Sequence, residues 1–260
     1  MQENKKPLLL ITNDDGYQAK GLKCLIEVVK HYGNVVVVAP EIGRSGMAHA
    51  ITMKKPLTYT LLEESPDYKL YSCSGTPADC VKVARFQILK QEPDFIFSGI
   101  NHGSNSSINV VYSGTMGAAL EGAIAGIPSV GFSLLSHNPD ADFSEAQIFI
   151  AQIIEKVLQF GLTPKTCLNV NFPKVSEIAY KGIKICHQTK GFWRENYLET
   201  SDPWDNKSYW LTGSYTNQEP ENAETDEWAL ANNYVSIVPV HVDLTHYESI
   251  NQLKKQGYEA

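Results

Sequence analysis

The sequence predicts an α/β protein, with a mostly parallel, doubly wound (Rossmann-like) sheet, helices on both faces and a protruding C-terminal β-ribbon arm. Short apolar runs alternate with stretches of helical periodicity through about residue 173, a pattern typical of a parallel sheet with crossover helices. The aromatic-rich segment 193–216 then predicts two strands around a turn, and an isolated ribbon rarely stays folded in water. We therefore expect a single domain over residues 1–260 whose arm, at about 190–220, packs on another subunit.

Strands and helices alternate along the first two thirds of the chain. Continuous apolar runs predict strands that are covered on both faces, and apolar residues at helical spacing predict the helices between them. The expected strands are PLLLIT (7–12), NVVVVAP (34–40), YKLYSC (68–73), DFIFSGI (94–100), residues near 129–134 and CLNVNFP (167–173). The expected helices run from Leu22 to a stop at Gly33, over 74–89, over 113–126 and over 142–161, whereas residues 41–67 predict no regular element.

Local signals support the helix at 74–89 and define the elements after residue 173. Thr76 is suited to the N-cap, Pro77 to the first helical position, and Asp79 to the position three residues after the cap. The later elements are expected to be a strand at 182–189, the ribbon with its turn at 201–208, a helix at 224–233, a strand at 234–242 and a final helix at 245–256.

Composition limits the classes of partner and the cellular setting. A net charge of −7 argues against a general binder of nucleic-acid polymers or membrane surfaces. The five cysteines are odd in number and fit no zinc spacing, so buried reduced thiols and a reducing compartment are expected. The apolar run before Asp14 is too short for a signal-peptide core or a membrane span. We therefore expect a cytoplasmic protein without a membrane-spanning segment.

Polar clusters stand at the carboxyl ends of four expected strands. NDD (13–15) follows the first strand, and EIGRSG (41–46) follows the second. SGT (74–76) and SGINHGSN (98–105) stand at the ends of two later strands. Since ligands of open parallel sheets bind outside the carboxyl ends of the strands, we expect these loops to share one binding edge.

The adjacent carboxylates Asp14 and Asp15 point to a cation, because their like charges repel each other. Two carboxylates at a strand end can supply hard oxygen ligands to Mg²⁺ or Mn²⁺, and the cation also removes their repulsion. The alternative is a solvated Asp-Gly turn. Ser45, Asn101 and Asn105 could complete a coordination shell with neutral oxygens, or they could be plain turn residues.

A second candidate site is the helix start Ser113-Gly114-Thr115. Free backbone N–H groups and the positive end of the helix dipole favour an anion there, and the two hydroxyls add donors. The alternative is an ordinary Ser/Thr helix cap, worth ~1 kcal/mol. His102 is a further candidate, as an acid or a substrate contact, because it lies in the loop beside Asn101.

Several common chemistries lack their motifs in this chain. The sequence contains no G-x-G-x-x-G, no G-x-x-x-x-G-K-[ST] and no G-x-S-x-G, which disfavours dinucleotide dehydrogenases, P-loop NTPases and α/β-hydrolases. A hard-cation site beside a phosphate-shaped site remains, and together these favour metal-assisted phosphoryl transfer to water. Two alternatives stay open: an aspartyl-phosphate formed on Asp14 or Asp15, and a nucleotide-binding sensor or partner protein without turnover.

Seven segments form a specific combination that is known from one protein family. They are TNDDGYQAKG, VVAPEIGRSG, CSGTPADCVK, SGINHGSN, YSGTMGAALEGA, LNVNFP and YVSIVP, in this order from residue 8 to about 244. The chain thereby resembles the SurE family of stationary-phase survival proteins, which act as nucleoside monophosphate phosphatases. One departure is Ser104, where family members often carry proline.

The resemblance implies an α/β fold with a swapped C-terminal arm, a homodimer or homotetramer, and one divalent metal ion per subunit. It implies metal ligands at Asp14, Asp15, Ser45 and Asn101, and phosphate contacts at Asn105, Ser113, Gly114 and Thr115. We therefore expect a phosphomonoesterase that hydrolyses nucleoside 5′- or 3′-monophosphates by attack of a metal-activated water. Asp14 and Asp15 are the expected catalytic residues, and Mg²⁺ or Mn²⁺ is the expected ion.

Overall fold

The computed structural model of the protein describes residues 6–174 and 178–259. In this part of the chain the strands form one nine-stranded sheet and a separate two-stranded ribbon. The strands are β1 (Leu8–Thr12), β2 (Asn34–Pro40), β3 (Tyr59–Glu64), β4 (Tyr68–Cys73), β5 (Phe95–His102), β6 (Ser129–Leu134), β7 (Thr166–Phe172), β8 (Ile183–Ile185), β9 (Gly191–Ser201), β10 (Lys207–Asn217) and β11 (Val235–His241). The α-helices are α1 (Lys20–Val29), α2 (Pro77–Val83), α3 (Gly114–Ile124), α4 (Ser144–Phe160), α5 (Asp226–Ala231) and α6 (Tyr247–Lys255).

The large sheet is mostly parallel and doubly wound, as the sequence predicts. Its strand order is β3-β4-β2-β1-β5-β6-β7-β11-β8, and among the described strands of this sheet the β3–β4 and β7–β11 pairs are the antiparallel ones. β1 pairs in parallel with β2 on one side and with β5 on the other, so the direction of winding reverses there. This reversal places the carboxyl end of β1 at the topological switch point, where ligands of such sheets bind.

Helices cover both faces of the sheet, and the side chains of β1 alternate between the two layers. Leu9 and Ile11 pack in the core cluster that contains α1 and α4, whereas Leu10 packs in the cluster that contains α2. The apolar residues that predict α1 are all buried in the structure: Leu22, Leu25, Ile26 and Val29. Because both faces are covered, β1 and β2 are apolar at consecutive positions.

The structure departs from the sequence predictions at several elements. α1 ends before Gly33, and a side chain at Gly33 would instead meet the carbonyl oxygen of Pro7 at 2.4 Å. The helix predicted over 74–89 is α-helical over Pro77–Val83 and continues as a π-helical turn over Ala84–Ile88. β3 lies where no regular element is predicted, because all of its residues are exposed and show no buried period.

The predicted ribbon is formed by β9 and β10, which pair antiparallel along their whole length. The pairing starts at Gly191 with Asn217 and ends at Ser201 with Lys207, next to the predicted turn. Large aromatic side chains stand exposed on it: Tyr197, Trp204, Tyr209 and Trp210. The ribbon therefore carries an apolar surface that its own chain does not cover.

The cysteines are free thiols, as their number and spacing predict. Four of the five are buried. Burial raises the pKa of Cys167 to about 12 and that of Cys186 to about 11, so both stay protonated at neutral pH. None of the helices within residues 6–174 and 178–259 combines the length and apolar character that crossing a membrane requires.

Candidate active site

The acidic pair lies at the carboxyl end of β1, where the loops expected to share one edge of the sheet meet. Asp14 is buried at 3% exposure, and Asp15 is half-buried. The loop after β2 reaches the pair through its backbone, since Arg44 donates its N–H to the carbonyl oxygen of Asp14 at 2.6 Å. Arg44 also donates from Nη2 to the carbonyl oxygen of Ser74 at 2.9 Å. The same arginine therefore links the loop after β4 to the acidic pair.

The start of α3 is built around the carboxylate of Asp14. Thr115 donates from its hydroxyl to Asp14 Oδ1 at 2.5 Å, although 101 positions separate the two residues. A Cβ at Gly114 would stand 2.8 Å from Asp14 Cβ and 3.0 Å from its Oδ2, so glycine is required beside the carboxylate. Asp14 thus lies at the positive end of the α3 dipole, which stabilises negative charge.

The raised pKa values of the pair show that burial disfavours the charged form of each carboxyl. Burial raises the pKa of Asp14 from 3.8 to about 6; the charge of Asp15 adds to the rise, and the hydrogen bond from Thr115 opposes it. Burial also raises the pKa of Asp15, against a hydrogen bond from the backbone of His102. A divalent cation beside both carboxylates would favour their charged forms and remove this penalty.

Asp15 is held against the end of β5. Its Oδ2 accepts the backbone N–H of His102 at 3.0 Å, and His102 directly follows Asn101. Asn101 donates from Nδ2 to the carbonyl oxygen of Gly103 at 2.8 Å, which leaves its Oδ1 as the acceptor for a ligand. The Nδ1 atom of His102 lies 3.0 Å from the carbonyl oxygen of Asn138, so one nitrogen of this candidate acid is already engaged.

The two candidate serines occupy different settings. Ser45 is exposed on the loop after β2, one residue beyond Arg44, whose backbone contacts Asp14. Ser113 is the N-cap of α3, and its hydroxyl oxygen accepts the N–H of Met116 at 3.0 Å. Ser113 is therefore a helix cap, and its O–H hydrogen remains a donor that an anion could accept.

Asn105 is held by side chains from β6 and β7. Its Nδ2 donates to Ser133 Oγ at 2.7 Å, and its backbone N–H donates to Asn171 Oδ1 at 2.8 Å. Its carbonyl oxygen accepts from Asn169 Nδ2 at 2.7 Å. The residue is buried at 5% exposure, and its amide nitrogen keeps a second hydrogen with which to meet a ligand.

The donor set at the end of β1 fits a hard divalent cation. Among the described residues no three His, Cys, Asp or Glu side chains are grouped to hold a metal, so a site here combines two carboxylates with neutral oxygens. Such donors suit Mg²⁺ and Mn²⁺. Asn13 Oδ1 is buried and has no hydrogen-bond partner among the described residues, while Asn13 Nδ2 donates to the carbonyl oxygen of Gly16 at 2.9 Å. A cation-bound water beside the pair would satisfy this acceptor.

Comparison with known proteins identifies the family. A family model described as Survival protein SurE matches residues 9–195, more than half of the chain. The chain belongs to the SurE family. The resemblance seen in the sequence motifs is thereby confirmed.

SurE relatives match the chain over nearly its whole length. The 5′-nucleotidase SurE of Bacteroides fragilis is 50% identical over 252 residues, which cover 97% of this chain and 98% of the relative. The 5′-nucleotidase SurE of Christiangramia forsetii is 51% identical over 251 residues, which cover 96% of each chain. The crystal structure of the SurE protein from Aquifex aeolicus matches with a TM-score of 0.82 at 38% identity, over 96% of this chain and 99% of that chain. The predicted α/β architecture is confirmed by this match.

The polar residues that hold Asn105 are not among those predicted from the sequence. Asn169 and Asn171 are both buried in β7, and Asn171 Nδ2 donates to Asn169 Oδ1 at 2.9 Å. A signal for them exists in the strand motif L-N-V-N-F, where asparagine recurs at every second position. Residues two apart lie on the same face of a strand, so the pattern indicates a polar network within an apolar sheet.

Proposed function

We propose that this SurE protein is a 5′-nucleotidase that hydrolyses nucleoside 5′-monophosphates to nucleoside and phosphate. Relatives at 50% and 51% identity carry that name. The observation that carries the proposal is the contact of Asp14 with Thr115, because it puts a candidate metal ligand beside a candidate phosphate site. A metal-assisted phosphomonoesterase needs both sites together, since its phosphate must be bound beside the metal ligands.

The metal site comprises Asp14, Asp15, Ser45 and Asn101 and holds one Mg²⁺ or Mn²⁺ per subunit. When bound, the ion would supply a positive charge that polarises a phosphate oxygen and lowers the pKa of water. Asp14 and Asp15 provide the negative charge that retains the ion. The hydroxyl of Thr115 orients Asp14, and the N–H of His102 orients Asp15, which supports this division of roles.

The phosphate site comprises Asn105, Ser113, Gly114 and Thr115. Backbone N–H groups at the start of α3 hold the phosphate oxygens while negative charge shifts among them in the transition state. Ser113 donates its O–H to the phosphate while its oxygen still caps the helix, which the contact with Met116 supports. Asn105 donates the amide hydrogen that is not engaged with Ser133.

The ribbon β9–β10 serves as the oligomerisation arm of a homodimer or homotetramer, and residues 1–260 form one domain. Its exposed aromatic side chains support this role, because contiguous apolar surface is typical of an interface. The cytoplasm is the proposed location. The five free thiols support it, since reduced cysteines are usual in that compartment.

Release of phosphate from adenosine 5′-monophosphate tests the proposed activity. The protein is stripped of metal with a chelator and assayed with and without Mn²⁺ or Mg²⁺, and adenosine 3′-monophosphate is the comparison substrate. We expect turnover only with a divalent ion, and the Asp15→Asn variant is the matched inactive control. Nucleotide binding without phosphate release would instead establish a sensor, and equal turnover in chelator would remove the metal from the mechanism.

A further inference from the structure

The base of the β-ribbon, which comprises Trp193 and Tyr215, contacts the turn between Asn105 and Ser113 through two hydrogen bonds. Tyr215 of β10 donates from its hydroxyl to Ser107 Oγ at 2.6 Å, and Trp193 of β9 donates from its indole N–H to Asn109 Oδ1 at 2.8 Å. Trp193 and Tyr215 are direct partners in the ribbon, and their rings meet edge to face with centroids 6.0 Å apart. Both contacts therefore come from one packed unit.

The same turn is held from inside by the buried carboxylate of Asp226, which is 1% exposed. Asp226 accepts the N–H of Ser107 at 2.8 Å, and it accepts the N–H and the hydroxyl of Thr189 at 3.0 and 2.5 Å. Ser107 Oγ in turn donates to the carbonyl oxygen of Thr189 at 2.8 Å. Ser107 has a φ of 52°, a left-handed backbone that is unfavourable for residues other than glycine, so these hydrogen bonds hold a strained turn in place.

We infer that Tyr215 and Trp193 are positioning residues for phosphate binding, in addition to their place in the arm. Ser107 follows Asn105 by two residues, and Asn109 lies between Asn105 and the start of α3, so both contacts act on the segment that joins the proposed phosphate contacts. This inference rests on the proposed function, because Asn105 and Ser113 are its phosphate contacts. It assigns to the base of the ribbon a role in the active site of its own chain.

The Tyr215→Phe variant tests the inference because it removes one oxygen and keeps the ring that packs on Gly191. We expect KM for adenosine 5′-monophosphate and the inhibition constant of free phosphate to rise about five- to tenfold, the effect of one lost hydrogen bond. Calorimetric affinity for Mn²⁺ should stay close to wild type, and the melting temperature should fall by no more than about 2–4 °C, the cost of one hydrogen bond. Trp193→Phe is the second variant, since it keeps an aromatic ring at this position while it loses the indole N–H donor and part of the ring area. Tyr209→Phe, farther out on the same strand, is the matched control.

Two results separate this inference from the proposed function. Wild-type protein that releases no phosphate would contradict the proposed function, and calorimetric binding of inorganic phosphate to the same variants would still test the positioning role. If wild-type protein is active but KM and phosphate affinity in Tyr215→Phe and Trp193→Phe equal those of Tyr209→Phe, the positioning role is wrong. Equal losses of phosphate affinity and of Mn²⁺ affinity would also overturn it, because they would indicate a general loosening of the fold.

Discussion

The two adjacent aspartates differ in burial and in the groups that donate hydrogen bonds to them. Asp14 is 3% exposed and is held by the hydroxyl of Thr115, whereas Asp15 is half-buried and is held by the N–H of His102. Each carboxylate has its own support from a different element. Loss of either one halves the formal negative charge that a cation would meet at this edge.

Replacing either aspartate by asparagine should remove most of the activity and leave the fold intact. The amide keeps the shape of the side chain, and because burial raises the pKa of both carboxyls, a neutral group is no less favourable there. The turnover number at saturating Mn²⁺ and the thermal melt of Asp14→Asn and Asp15→Asn check this expectation. Turnover near the wild-type rate in either folded variant would refute the metal-ligand assignment.

Thr115 allows a structural role to be separated from a functional one. Thr115→Ala removes the hydroxyl that orients Asp14, so kcat/KM and affinity for Mn²⁺ should each fall about ten- to a hundredfold. Thr115→Ser keeps the hydroxyl and is the matched control. Phosphate inhibition and Mn²⁺ calorimetry are measured beside the thermal melt. A lowered melting temperature with both affinities unchanged would leave Thr115 a purely structural role.

Helix α2 begins where the sequence predicts, because Thr76 and Asp79 cap each other. Thr76 Oγ1 accepts the N–H of Asp79 at 3.1 Å, and Asp79 Oδ2 accepts the N–H of Thr76 at 2.9 Å. Asp79 also accepts the N–H and the hydroxyl of Thr52 at 3.0 and 2.6 Å. The capping box therefore also binds the long loop after β2 through Thr52. The first part of that loop contacts Asp14 through Arg44.

Asp79→Asn should lower the free energy of unfolding by about 1–2 kcal/mol at neutral pH. Burial raises the pKa of Asp79, but hydrogen bonds from Thr52 and Thr76 outweigh it and leave the pKa below 3.8. Because the folded pKa is depressed, this stabilisation is present above 3.8 and is lost as the pH falls through the folded pKa. Urea unfolding at several pH values should show the difference from wild type shrinking in acid, with exposed Asp67→Asn as the control. A difference that does not shrink would contradict this role.

The outer part of the ribbon, beyond the Trp193–Tyr215 pair, is the surface proposed for assembly. Trp204, Trp210 and Tyr209 are 80%, 66% and 57% exposed, and they lie beyond the paired residues Trp193 and Tyr215 at the base. Aromatic side chains are enriched at protein interfaces, where their large apolar area is buried. The arm thus divides into a base that contacts the segment 105–113 of its own chain and an outer part whose aromatic side chains are exposed.

Shortening the ribbon should lower the mass of the oligomer without removing the base. Asn196 and Thr212 are paired, so residues 197–211 can be replaced by an Asn-Gly turn that rejoins the strands. The expected loss of assembly follows from removal of the exposed aromatic side chains. Light scattering of the shortened protein, compared with wild type at equal concentration, measures the mass. A folded shortened protein with the parent mass would disprove the assembly role.

Many elements of this fold can be predicted because they follow from local periodicity. The buried strands β1 and β2 are continuous apolar runs, and the apolar residues of α1 recur at helical spacing. β3 cannot be predicted from a buried period because all of its residues are exposed. The change to a π-helical turn after Val83 cannot be predicted because no local residue pattern marks it. The candidate residues Asp14, Asn105 and Thr115 can be nominated from their motifs, but not their partners.

The hydrophobic pattern of the sequence predicts which segments form the sheet. The parallel connections between them predict that the polar loops meet at one edge. Three contacts become visible only in the folded protein: Thr115 with Asp14, Asn171 with Asn105, and Tyr215 with Ser107 between the candidate phosphate contacts. These partners stand 101, 66 and 108 positions apart for the pairs Thr115–Asp14, Asn105–Asn171 and Tyr215–Ser107. Contacts over such separations depend on strand order and helix packing, which no local pattern of residues specifies.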